Sequence, residues 1–291
     1  MKQIGSYLLM ENLWKDYYGE YYLTKKNIDV EPKYITRIIS KNCNPAILSE
    51  AKKDVTNAIA NLNHRNILKF EAVFQTHNNY YIIKEYYNGG NLLQALKQYK
   101  AKKGKGFSED IIRHLMSQII SVFKYLHEKD IFKNDINLGQ ILLNFETQKD
   151  KEDLNLLKAT VKIGNFEKTV KYSDKLMNNK EYKHQQEHPS NNEFFSLGII
   201  CYQMITGELN VEILPDIGYA QKILISIVQS FSNLSEEIKS FFYILITMNH
   251  EKCEYEKILE HEFLVGKNQN KYEPKFCLDG MDEYGRTILL G

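Results

Sequence analysis

A change of hydrophobic period near Gly89-Gly90 constrains the fold of this chain more than any other feature. Upstream, residues 6–40 and 67–87 are apolar, Tyr-rich runs of strand character, interrupted from about Pro45 to Leu62 by a stretch of helical character. Downstream the pattern turns helical. Across residues 110–127, Ile111, Ile112, Leu115, Ile119, Phe123 and Leu126 recur at the helical period, which places them on one wide face. Such a face has to be buried, so the segment predicts a core helix and needs no cofactor to explain it. At 291 residues the chain is long for one compact core. The expectation is an α+β protein in two lobes, a small β-rich one with one main helix followed by a larger helical one.

A series of short motifs runs along this frame. Leu13-Trp-Lys-Asp-Tyr-Tyr-Gly-Glu-Tyr21 comes first, then Tyr34-Ile-Thr-Arg37, Asn63-His-Arg-Asn-Ile67 and Tyr81-Ile-Ile-Lys-Glu-Tyr-Tyr-Asn-Gly-Gly-Asn91. The stretch from Tyr125 to Leu143 contains Lys133, Asn134, Asp135 and Gln140, and is followed by Val161-Lys-Ile-Gly-Asn-Phe-Glu167 and Glu193-Phe-Phe-Ser-Leu-Gly198. In order and spacing these resemble motifs of the eukaryotic protein-kinase family: the glycine-rich loop, V-A-I-K strand, H-P-N-I turn, hinge, catalytic loop H-R-D-L-x-x-x-N, D-F-G region and D-x-x-S-x-G helix. The resemblance spans about residues 8 to 265, nearest the Unc-51-like branch. It implies a kinase-like N-lobe at 1–84, a C-lobe at 85–266 and a C-terminal extension at 267–291. Fold alone does not settle function.

The resemblance also says which residue should carry each step of phosphoryl transfer, and most of those residues are replaced. Trp14 and Asp16 stand at the first two glycine positions of the loop, and only Gly19 remains. An indole crowds the backbone approach to phosphate, and an aspartate repels it. Arg37 replaces the phosphate-binding Lys, and Val55 stands where a Glu should pair with it. Gln140 and Asn165 replace the magnesium ligands, although magnesium favours carboxylate oxygen. Asn137 replaces a Lys near the transferred phosphate, and Glu167 replaces the last glycine of D-F-G. Asp135 alone keeps the identity of the family's catalytic base. A base without a positioned, metal-bound phosphate has nothing to act on.

The nucleotide pocket that the resemblance implies is degenerate: Gly19, Tyr21, Ile35, Arg37, Lys84, Glu85, Tyr87, Leu142 and Asn165 line it. Tyr21 and Ile35 add volume where the family sandwiches adenine, so side chains are expected to fill the slot. Lys84 at the gatekeeper position, and Lys133 in place of a His that stacks with Ile59, Phe70 and Phe166, must snorkel outward or find an acid. The family's A-P-E glutamate and its Arg partner align with Gln186 and Cys253, a paired loss that strands no buried charge.

Lys plus Arg total 38 against 37 Asp plus Glu, a net charge of +1, so no basic field points to nucleic acid or a membrane surface. Cys43, Cys201, Cys253 and Cys277 form no C-x-x-C pair, and no signal peptide or long apolar span is evident, which predicts reduced thiols in the cytoplasm. His184 and His188 are at helical spacing but lack a third ligand for zinc. The charged run at 145–160 reads as a solvated loop rather than a docking element, and the tail 266–291 as docking on its own large lobe. These expectations converge on a catalytically inactive kinase-like domain, a pseudokinase, that binds protein partners and takes no cofactor. The alternatives are an unconventional low-activity Ser/Thr kinase using Asp135 with a relocated Lys15 or Lys133, and a metal-independent nucleotide or anion sensor using Arg37 and Lys84.

Overall fold

A computed structural model describes residues 2–16, 19–44, 62–129, 131–133, 136–164, 170–171, 193–209, 217–248 and 255–266. The helical stretch predicted over 45–62 falls outside these up to residue 61. So do Val55, Ile59, nearly all of 165–192, Cys253 and the extension 267–291.

The N-terminal part is one antiparallel sheet of six strands: β1 (Lys2–Ile4), β2 (Tyr7–Asp16), β3 (Gly19–Lys26), β4 (Tyr34–Ser40), β5 (Phe70–Gln75) and β6 (Asn79–Glu85). Their order across the sheet is β1-β2-β3-β4-β6-β5. The sheet curls until its far sides meet. Tyr7 on β2 packs edge-on against Phe74 on β5, with ring centroids 5.9 Å apart, and its hydroxyl donates to Glu71 at 3.1 Å. The β1–β2 turn is pressed onto the same ring, because a Cβ on Gly5 would stand 3.0 Å from Phe74, and Gly5 has φ +55°. Glycine satisfies both demands.

After β6 the described residues are mainly helical, with two short antiparallel strand pairs. Helix α1 (Leu92–Lys103) starts in a reciprocal cap: Asn91 Oδ1 accepts the Gln94 N–H at 2.9 Å, and Gln94 Oε1 accepts the Asn91 N–H at 3.1 Å. Helix α2 (Glu109–Glu128) is the segment predicted from periodicity, and Ile112, Leu115, Ile119, Phe123 and Leu126 are all buried. Met116, Ile120 and Val122 are buried as well, so α2 runs through the lobe rather than along its surface. Next come β7 (Ile131–Phe132) and β8 (Ile141–Asn144), a short helix α3 (Gln148–Glu152), β9 (Thr160–Ile163) and β10 (Val170–Lys171). Strands β8 and β9 form a hairpin, and β7 pairs with β10. Helices α4 (Glu193–Thr206), α5 (Ile217–Ser230), α6 (Glu236–Thr247), α7 (Tyr255–Leu259) and α8 (Glu262–Val265) complete the lobe. Helix α4 is apolar almost all round and packs on α6 so closely that a Cβ on Gly198 would stand 2.7 Å from the Ile246 side chain. The result is the two-lobed α+β architecture expected, with the boundary proposed at 84/85 falling on the last residues of β6.

The run at 145–160 is folded, which corrects the solvated-loop reading. Phe145 and Leu156 are buried anchors at its ends, and the Asn88 side chain bonds both backbone groups of Phe145 at 2.8 and 2.9 Å. Between the anchors, Thr147 caps α3 by accepting the Asp150 N–H at 3.0 Å, and Asp150 accepts from Thr147 and Asn155. The charged residues dominate the sequence pattern, but the two apolar anchors decide the structure. No described helix is long and apolar enough to cross a membrane.

Candidate functional site

Three neighbouring strands bring most of the predicted pocket residues onto one face of the sheet. Tyr21 on β3 lies directly opposite Arg37 on β4, and Ile35 on β4 lies opposite Lys84 on β6. Opposed residues in an antiparallel pair share a face, as do residues two apart on one strand. Gly19, Tyr21, Ile35, Arg37 and Lys84 therefore form one patch. Gly19 has φ +143°, and a Cβ there would stand 2.4 Å from the Ile38 carbonyl oxygen. Glycine is required at this point by the approach of β3 to β4, before any ligand is considered.

The two cations of this patch are held by rings. The Arg37 guanidinium carbon lies 6.0 Å from the centroid of Tyr21, and Arg37 is buried. The Lys84 ammonium lies 4.5 Å from the centroid of Phe70, the residue opposite it on β5, and Lys84 is only 9% exposed. A ring face offers a buried cation partial electrostatic compensation. Of the two outcomes expected for Lys84, snorkelling outward or finding an acid, its burial rules out the first. Ile35 is buried and Tyr21 half-buried, so the volume added at these positions is packed into the lobe.

Glu85 does not join the patch. It follows Lys84 on β6 and faces the other side of the sheet, where it bonds the Lys162 ammonium from β9 at 2.8 Å. With Tyr34 and Lys69 it lines a cavity of about 420 Å³ behind the hinge. Tyr87 is half-buried, and burial pushes its phenol above the usual tyrosine range. Leu142 is half-buried on β8, opposite Lys162 and bridged to Asn91, so it forms part of the floor below the sheet.

The loop that leads into that floor is closed on itself. The Asn137 N–H donates to Gln140 Oε1 at 3.2 Å, the Gln140 N–H donates to the Asn137 carbonyl at 3.0 Å, and the Gly139 N–H donates to Asn137 Oδ1 at 2.9 Å. The oxygen that would have to ligate a metal at position 140 thus already accepts a bond within its own turn. Asp135 and Asn165 lie outside the described residues. Among the described residues, no group of three or more His, Cys, Asp or Glu side chains is placed to hold a metal ion. Lys15 is bonded to Glu20 across the β2–β3 hairpin at 2.8 Å and is largely exposed.

Sequence reasoning missed the support beneath this loop. Lys133 is 0% exposed, so of the two outcomes expected for it, snorkelling outward or finding an acid, the first does not hold. Its N–H donates at 3.2 Å to the carboxylate of Glu193, itself buried at the start of α4, and the same carboxylate accepts the hydroxyl of Tyr255 on α7. Tyr255 packs on Phe194 with centroids 5.0 Å apart. The signal available in the sequence was an acid heading an otherwise apolar helix. Cys201 on α4 is buried, and burial raises its thiol well above the usual range, which leaves it inert.

Residues 25–264 match the protein kinase domain family, a stretch that begins at the end of β3 and contains the sheet from β4 onward, the hinge and the helical lobe. The chain belongs to the protein kinase domain family. It is similar to the serine/threonine-protein kinase Nek1 of Mus musculus, 24% identical over 301 residues that cover 98% of this chain and 24% of that protein. It is also similar to the probable serine/threonine-protein kinase CCRP1 of Zea mays, 28% identical over 78% of this chain and 36% of the relative. The Aurora kinase of Schizosaccharomyces pombe is 23% identical over 90% of this chain and 72% of its own length. Nek1 and CCRP1 are matched over well under half of their own lengths, so this kinase domain is similar to one part of each of them.

Proposed function

We propose that this kinase domain does not transfer phosphate from magnesium-ATP and acts instead by binding protein partners. The observation that carries this reading is the engagement of the phosphate and metal positions with the chain's own atoms: Arg37 lies against Tyr21, and the Gln140 oxygen accepts the Asn137 N–H. Preorganised charge at the transferred phosphate is the main source of catalysis in this chemistry, so a site without it has little to offer ATP. Asp135 is then a retained base position without a reaction, and no cofactor is needed. The cytoplasm is the proposed compartment. A place near the Unc-51-like branch rests on the motif residues alone.

The names of the relatives favour a second reading, an ATP-dependent Ser/Thr kinase that uses Asp135. Two buried cations on one sheet face favour a third, a metal-independent anion or nucleotide sensor. Thermal unfolding with ATP, with and without magnesium, separates the three. No shift fits the partner-binding reading, a magnesium-dependent rise the kinase, and a metal-independent rise the sensor. Incorporation of labelled phosphate above that of an Asp135→Asn variant, with magnesium or manganese present, would overturn the inactive reading.

A further inference from the structure

The net charge of +1 conceals a separation of charge along the chain. Between Tyr86 and Ser108 stand five lysines, Lys97, Lys100, Lys102, Lys103 and Lys105, and no Asp or Glu, so the rest of the chain carries −4. All five are exposed, and their ammonium groups make no ion pair or hydrogen bond among the described residues. Other surface lysines do take acids: Lys15 takes Glu20, Lys33 takes Asp29, and Lys124 takes Glu128 and Glu256. Near the group, Asp110 is paired with Arg113, while Glu109 and Glu208 accept from the neutral Ser235 and Tyr202. Five lysines against those two acids leave a local charge of +3. Cations in the last turn of α1 suit the negative end of the helix, but Lys97 and Lys105 lie outside that turn.

The lysines stand on a fixed support. Gly104 ends α1 in the left-handed region at φ +70°, and its N–H donates to the Lys100 carbonyl at 2.8 Å. The chain then fastens onto the end of α4: the Phe107 N–H donates to the Met204 carbonyl at 2.7 Å, and a Cβ on Gly106 would run into the Ile205 carbonyl oxygen. The stem of Lys100 lies across Gly207, where a Cβ would stand 3.3 Å from it. What the patch lacks decides between polyanions. Its one aromatic side chain, Tyr99, is spent edge-on against Phe107 at 5.1 Å, so no ring is offered for stacking on a nucleobase. None of the large apolar side chains left exposed lies on α1 or in the turn after it. Protein interfaces are depleted in Lys and draw their energy from buried aromatic and Arg anchors, which this patch does not have. Lysines without anchors suit a partner that is itself diffuse negative charge. Clusters of about four to eight basic residues adhere to anionic lipid headgroups, which the cytoplasmic leaflet carries.

We infer that the C-terminal end of α1 is a reversible electrostatic contact for an anionic lipid surface. This goes beyond the partner-binding reading and does not depend on it. The test is co-sedimentation of the full chain with phosphatidylcholine vesicles of which about one-third of the lipid is phosphatidylserine. Binding should be measurable at low salt, absent on phosphatidylcholine alone, and lost at an ionic strength of about 0.5 M. A Lys97→Glu/Lys102→Glu/Lys103→Glu variant should bind on the order of tenfold more weakly. A Lys2→Glu/Lys149→Glu/Lys222→Glu control makes the same change in net charge at exposed positions on other elements, and should lose at most about twofold. The neutral variant Lys97→Gln/Lys102→Gln/Lys103→Gln, matched to wild type in melting temperature, should fall between the two and separates lost contact from lost folding. The proposal is overturned if wild type does not sediment with the anionic vesicles, or if the control loses as much as the charge-reversed variant. It is also overturned if wild type binds a DNA duplex or polyglutamate more tightly than vesicles at equal concentration of negative charge, which would assign the patch to a nucleic acid or to an acidic protein.

Discussion

The two lobes are held together by different physics. In the helical lobe a continuous cluster of fully buried apolar side chains runs through α2, α4 and α6, from Phe123 through Phe194 to Phe241 and Phe263. In the sheet lobe the described apolar cluster is Ile39 and Ile82 with Cys43, Phe70 and Tyr80 against them; Tyr7, Leu9, Ile35 and Ile83 are buried as well, and so are the polar Thr24, Thr36, Arg37 and Lys84. The described core of the helical lobe is secured almost wholly by filled volume, whereas that of the sheet lobe mixes buried apolar side chains with buried polar groups that have partners. The candidate site lies on the second kind of structure. Changes there can act by stranding partners as well as by opening cavities, whereas changes in the helical lobe act mainly by opening cavities.

The largest effect is expected in the helical lobe. Phe241→Ala, which removes a buried ring 5.1 Å from Phe263, should cost about 3–5 kcal/mol in urea unfolding followed by far-UV circular dichroism. Equal destabilisation by a single sheet-lobe truncation would break the contrast.

A titration in the same helical cluster comes next. Burial lowers the His261 imidazole to about 4, and its Nδ1 accepts the Phe263 N–H that caps α8 while Nε2 lies 2.9 Å from the Ser240 hydroxyl. The unfolded ring, with a pKa of about 6.5, binds a proton more tightly than the folded one. This contribution is therefore fully present above pH 6.5 and is lost as the pH falls toward 4, by about 3 kcal/mol at the limit. His261→Asn keeps a capping oxygen and should remove that part of the slope in melting temperature between pH 7 and pH 5. An unchanged slope would assign the acid sensitivity to other groups.

In the sheet lobe, Tyr21→Val with Ile35→Ala should open the slot beside Arg37 at a cost of about 2–3 kcal/mol, and restore more nucleotide-dependent stabilisation than Arg37→Lys does. Micromolar ATP binding by wild type would contradict the filled slot. Thr24 and Thr36 share a hydrogen bond of 2.7 Å and are both buried. Thr24→Val should cost about 1–2 kcal/mol, and adding Thr36→Val should recover most of it, because the second change removes the stranded hydroxyl. The smallest effect belongs to Lys15→Ala, which breaks an exposed pair and should leave both stability and any response to ATP unchanged. A lost ATP response would instead revive the relocated lysine.

Much of this was legible in the chain. The period of Ile112, Leu115, Ile119, Phe123 and Leu126 marked the central helix, because burial of a helical face leaves a trace every turn. The motif order placed the strands, the hinge and α4, and residue identity, set against the family's motifs, gave the expectation that Arg37, Gln140 and Asn165 depart from them. The folded insertion was not legible, since its two apolar anchors are separated by a charged run and make their contacts with Asn88 and the distant core.

What the sequence by itself determined is therefore which chemical groups are available and where the regular elements run, because both depend on residues close together in the chain. Only the tertiary structure decided where those groups are spent: Glu85 on Lys162 behind the hinge, Lys84 on the face of Phe70, and Glu193 on the Lys133 backbone and the Tyr255 hydroxyl. Each of these partners is more than ten residues away along the chain. A buried charge takes whatever partner the packed lobes bring within a few ångströms, and local period carries no record of that choice.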